Sequence, residues 1–112
     1  MVDEFPPDPE TRPVIDMAQL ARQTLGDARL QCEVLALFSR QIEDAATSLG
    51  DADAGERRRI AHSLKGTALS LGANLLAVCA GRIETSPEDD RFVAEMAVAV
   101  RETVMFIAKL RR

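Results

Sequence analysis

The chain has 112 residues, 46% of them hydrophobic, with 4% aromatic residues and no Trp or Tyr. That is enough for one domain with an aliphatic, alanine-rich core, and it favours packed helices over a β-sandwich. The net charge of −4 argues against a nucleic-acid binder, which needs a basic face for phosphates.

Residues 1–14 hold four of the five prolines with several charges and are expected to form a disordered tail. The start has neither the basic residues nor the apolar stretch of a signal peptide. No apolar run approaches the ~18 residues of a membrane span, so the chain is expected in the cytoplasm. Residues 15–112 carry helical punctuation throughout. Asp16 suits an N-cap for a short helix to about Thr24, with Met17, Leu20 and Ala21 on one side. Gly26-Asp27 interrupts it, and a long helix is predicted from about Asp27 to Leu49. Its apolar stripe is Leu35, Phe38, Ile42, Ala45 and Leu49, closed by Gly50.

Asp53-Ala54-Gly55-Glu56 has capping-box spacing and opens a third helix with Ile60, Leu64, Ala68 and Leu71 inward. Gly72 stands where a left-handed C-terminal glycine belongs. A fourth helix is expected over 73–85, with Leu75, Leu76, Cys79 and Ile83 inward. Ser86-Pro87-Glu88-Asp89 reads as the start of a fifth, with Pro87 at its first helical position. Its inner face is expected to be Phe92, Met96, Ala99, Thr103, Phe106 and Leu110. Cys32 and Cys79 fall on apolar faces, as buried reduced thiols would. The fold class implied is all-α: an antiparallel up-down-up-down four-helix bundle with a short extra N-terminal helix.

Chemistry concentrates at His62, the one histidine of the chain. With Leu64 inward, steps of ~100° per residue turn His62 outward. Lys65, Gly66 and Leu69 continue that outward strip, and Arg58 and Arg59 precede it by one turn. A helix-interior glycine costs roughly 1 kcal/mol relative to Ala, and on an exposed strip it makes room for an approaching surface. An imidazole titrating near ~6.5 is mostly neutral at pH 7 and nucleophilic without a separate base. Lys65 would stabilise a phosphoryl group on the ring. The sequence holds no Gly-rich nucleotide loop and no metal-ligand cluster. Such a site must receive phosphate from a protein and give it to a protein. One alternative is a hydrolase with His62 as base, which would need a deep pocket beside the ring.

Ala61-His62-Ser63-Leu64-Lys65-Gly66-Thr67-Ala68, followed by Leu71-Gly72-Ala73, Cys79 and Ile83-Glu84, resembles the signature of histidine-containing phosphotransfer (HPt) domains. Ile15-Asp16, Leu20, Gly26, Leu35 and Phe38 resemble that family's opening helices, so the likeness spans roughly residues 15–110. It implies a bundle that accepts a phosphoryl group on His62 from the aspartate of a receiver domain and passes it to another receiver. A hybrid histidine kinase would stand upstream; the alternative is a non-phosphorylated helical binding module that docks on a kinase or receiver and inhibits it. Lys65 would lie by the phosphate, Gly66 would leave room for the receiver, and Glu84 would hydrogen-bond the ring's Nδ1. Arg58 and Arg59 would add positive charge. Ser63 departs from the larger apolar docking residue of relatives, which moves the apolar contact to Leu69, Met17 and Leu20. No cofactor is implied for this chain, since Mg²⁺ belongs to the receiver's acidic pocket. Beginning with Met and carrying no attached kinase, receiver or effector region, the chain reads as a free-standing, monomeric shuttle with no kinase activity of its own.

Overall fold

The computed structural model describes residues 14–111, so the tail expected over 1–14 lies outside the described residues except for Val14. The described residues form five helices and no strand: α1 (Met17–Gln23), α2 (Ala28–Asp51), α3 (Ala54–Ser70), α4 (Asn74–Thr85) and α5 (Asp90–Leu110). None is long and apolar enough to cross a membrane. Contacts join α2 to α3, α3 to α4, α4 to α5 and α5 back to α2. The four longer helices therefore form a closed ring around one core.

Aspartates set most of the helix starts. Asp16 accepts from the backbone N–H groups of Ala18 and Gln19, Asp27 from Leu30, and Asp53 from Glu56 at 2.8 Å. Each satisfies a donor that the first turn leaves without an intrahelical partner. The break at Gly26 is a left-handed pair, Leu25 at φ 53° and Gly26 at φ 74°. Gly72 has φ 76° and ends α3 as its position implies. Its carbonyl accepts from Asp16 N–H at 2.9 Å, and a Cβ there would meet Asp16 Cβ at 2.8 Å. Through that contact, and through Gln19 Nε2 donating to the carbonyls of Leu69 and Ser70, α1 is pinned to the end of α3.

The core is built from Leu35, Phe38, Ile42 and Leu49 of α2 with Leu76 and Ile83 of α4 and Met96 and Ile107 of α5. Between α3 and α4 it is small: Ala61, Ala68, Ala73, Ala77 and Ala80 are buried. Short side chains let those two helices lie close, which places α4's polar face beside α3's.

Several expectations change. The stripe of α3 is rotated: Ala61 is buried and Ile60 half-buried beside α2, because α3 has neighbours on two sides. Ala45 and Leu75 are likewise only half-buried. The long second helix runs through Gly50 to Asp51. Ser86-Pro87 does not start the last helix. Pro87 is buried in the turn after α4, and Asp89 caps α5 by accepting from Arg91 N–H at 2.9 Å. On α5, Val100 and Ile107 are buried while Phe92 and Phe106 are half-buried and Leu110 is exposed. Cys32 is exposed and Cys79 buried, so only one thiol follows its expected face. Burial pushes the Cys79 thiol above its ordinary value, with the Glu95 charge adding to it.

Candidate functional site

His62 leaves the middle of α3 with its side chain 74% exposed. Glu84, in the last turn of α4, approaches it from the neighbouring helix, and its Oε2 lies 2.6 Å from His62 Nδ1. Glu84's side chain is 21% exposed. A carboxylate only accepts, so this contact requires the proton on Nδ1, and in the neutral ring it leaves the lone pair on Nε2. Lys65, one turn beyond His62, places Nζ 2.8 Å from the other oxygen, Oε1. That contact is an ion pair without the alignment of a hydrogen bond. Lys65 first and His62 second hold the Glu84 carboxyl below its ordinary value. One carboxylate thus binds a ring and a cation one helical turn apart.

Two glycines shape the surroundings. A Cβ on Gly66 would meet nothing within 4 Å, so Gly66 opens to empty space and is not a helix-packing glycine. A Cβ on Gly81 would sit 3.9 Å from Lys65 Cδ, so the lysine stem lies over α4 at that glycine. The two grooves between α2 and α3 run beside this surface. One is lined by Val34, Leu37, Gly66, Thr67 and Ser70, the other by Gln41, Asp44, Arg59, Ser63 and Thr67. Neither is lined by His62, which stands outside them in the open.

Arg58 reaches α4, where its Nε donates to the carbonyl of Glu84 at 3.3 Å. Arg59 turns back along α3 to Glu56, 2.9 Å away. Ser63 and Leu69 are exposed, and Met17 on α1 is exposed as well. Leu20, expected on the partner surface, is buried at 0% exposure. The short helix turns it inward when Gln19 and Asp16 pin α1 to α3, so it belongs to the core.

The residue that sequence reasoning missed is Arg57, which lies in a run of three arginines that reads as solvated surface. It is 9% exposed. Its Nε donates to Leu49 carbonyl at 2.9 Å, Nη1 to Pro87 carbonyl and Asp90 Oδ1 at 3.0 Å each, and Nη2 to Gly50 carbonyl at 3.4 Å. The signal available was its place in a helix's first turn, where a cation opposes the dipole unless other carbonyls receive it. The end of α2 supplies them. Among the described residues no three His, Cys, Asp or Glu side chains gather to ligate a metal.

An exposed imidazole with Nδ1 held by a carboxylate and a lysine cation beside it suits a labile phosphoryl group. Comparison with known families decides the matter: the Hpt domain family model matches residues 29–104. The chain belongs to the Hpt domain family. Neither the curated proteins nor the solved structures yield a match. As an Hpt domain, the chain has a phosphotransfer role in two-component signalling and interacts with response regulators and kinases of phosphorelays. The match spans α2 to most of α5 and so includes His62, Lys65, Gly66 and Glu84.

Proposed function

We propose that His62 is the residue that carries the phosphoryl group between receiver domains. The neutral ring's Nε2 attacks the phosphorus of an aspartyl phosphate. The P–N bond forms as the P–O bond to the aspartate breaks, and that electron pair stays on the aspartate carboxylate. The ring becomes cationic, and Glu84 offsets the charge through the Nδ1–H contact. Transfer to a second receiver is the same step reversed. Lys65 is close enough to turn from Glu84 to the incoming phosphoryl oxygens. Gly66 leaves room for the receiver, and Arg58, Arg59, Ser63, Leu69 and Met17 form the docking surface around it. Mg²⁺ sits in the receiver's acidic pocket and no cofactor on this chain is needed.

The rest of the reading follows from that step. The phosphoryl group originates in a hybrid histidine kinase and reaches this chain in the cytoplasm, and the chain acts as a monomeric carrier without kinase activity of its own. Consecutive helices of the ring run antiparallel, up-down-up-down. The two residues between α2 and α3 and the three between α3 and α4 leave no length for a crossover.

The observation that carries this reading is the 2.6 Å contact at Nδ1 of a ring that is 74% exposed. Incubation with a phosphorylated receiver should place acid-labile, base-stable phosphate on the protein, and His62→Gln should abolish it. Receiver binding with no phosphate gained would favour the inhibitory binding module. Transfer that persists in His62→Gln would remove His62 from the role.

A further inference from the structure

Glu84 lies one residue from the end of α4. The last turn of a helix has carbonyls without intrahelical partners and is where helices fray. A carboxylate carried there is poorly placed to hold a ring on another helix to 2.6 Å, unless something else fixes that turn. Two adjacent arginines from the first turns of α3 supply the fixing, and they bracket Glu84. Arg58 Nε donates to the carbonyl of Glu84 itself at 3.3 Å. Arg57 Nη1 donates to the carbonyl of Pro87, three residues on, at 3.0 Å. Arg57 is itself immobilised. It is 9% exposed, and its remaining donors go to Leu49, Gly50 and Asp90. A buried fork with four acceptors on three segments cannot drift without leaving unpaired carbonyls behind. Arg58 and His62 are one turn apart on α3, so the clamp and the ring ride on one rigid element.

We propose that Arg57 and Arg58 form a two-point clamp that sets the end of α4 in register on α3, and that both are positioning residues acting on His62 through Glu84. The proposal rests on the phosphotransfer reading for its functional consequence. Its structural half, control of the ring's tautomer, stands apart from that reading. It gives Arg58 a task besides docking: through the Glu84 carbonyl the arginine holds the carrier's own machinery together.

A double-mutant cycle separates the possibilities. The rate of phosphoryl arrival at His62 is measured with saturating phosphorylated receiver for the parent, Arg58→Met, Glu84→Ala and the double variant. Loss of one hydrogen bond implies that Arg58→Met slows arrival roughly two- to tenfold when Glu84 is present. In the Glu84→Ala background it should slow arrival no further, and Arg58→Lys should recover most of the rate. ¹⁵N chemical shifts of the His62 ring should show the Nδ1–H tautomer less populated in Arg58→Met. The shift should be larger in Arg57→Lys, which keeps the charge and loses the fork, provided its thermal transition stays cooperative. Equal slowing in both Glu84 backgrounds would mean that Arg58 acts independently of Glu84 and overturn the clamp, as would unchanged tautomer populations in Arg58→Met. A parent protein that takes no phosphate on His62 would overturn the phosphotransfer reading instead, and the ring shifts would still decide the clamp.

Discussion

Glu84 faces two partners on one side of the bundle, the ring of His62 through Oε2 and the ammonium of Lys65 through Oε1. Both favour its ionised form, Lys65 more than His62, so its carboxyl titrates below the ordinary 4.5. Because the folded-state value is lowered, what these contacts contribute to stability is fully present above the unfolded value. It is lost only as pH falls through the lowered folded value. The site should therefore stay assembled at pH 5 and come apart in more acidic solution. A ¹³C titration of the Glu84 carboxyl should give a midpoint below that of a free glutamate. Lys65→Met should raise it further than His62→Gln does. A midpoint indifferent to Lys65 would show that the ion pair is not held in solution. At this scale the sequence was partly readable. The outward turn of His62 followed from helical steps alone. The pairing of His62 with a residue 22 positions away came only through the family resemblance. Arg57 escaped because its neighbours Arg58 and Arg59 are exposed, and burial of the first of three arginines depends on carbonyls that α2 brings from elsewhere in the chain.

Glycines on α3 and at its end show how one residue type serves opposite purposes. Gly66 is helical with open space around it, so Gly66→Ala adds a methyl that touches nothing. It should stabilise the protein by roughly 1 kcal/mol through helix propensity, seen as a rise in Tm of about 4–8 °C. On the docking surface proposed above the same methyl would stand in a receiver's way, so phosphotransfer should fall while stability rises. Gly72→Ala should do the reverse to stability. Its φ of 76° disfavours a side chain, and the added atom would meet Asp16 Cβ at 2.8 Å, a loss of at least about 1–3 kcal/mol. Calorimetry of the two variants tests both signs at once, and a Gly66→Ala protein that is less stable than the parent would mean the site is closed. At this scale the caps were the most legible features, since an aspartate before a helix acts within three residues. Ser86-Pro87 misled because its start signal is as strong as Asp89's. Asp89 caps the helix, and Arg57 holds the turn before it through the Pro87 carbonyl and Asp90.

Among the described residues the four longer helices form a ring with α1 pinned to the end of α3, and His62 lies on the outside of that ring. Composition alone pointed to this helical class, because an aliphatic and alanine-rich core leaves few other architectures. Rotations of individual helices were less legible. α3 has neighbours in both α2 and α4, and a helix squeezed on two sides buries a wider arc than one apolar stripe. Alanines fill that arc, and alanine carries little signal in a hydrophobic pattern. In the proposed transfer, Glu84 holds the Nδ1 proton and so directs phosphate to the other nitrogen. ³¹P and ¹⁵N NMR of the phosphorylated protein identifies the bonded atom directly. Phosphate on Nε2 of His62, with Nδ1 still protonated, is expected. Phosphate on Nδ1, or on any other residue, would contradict it.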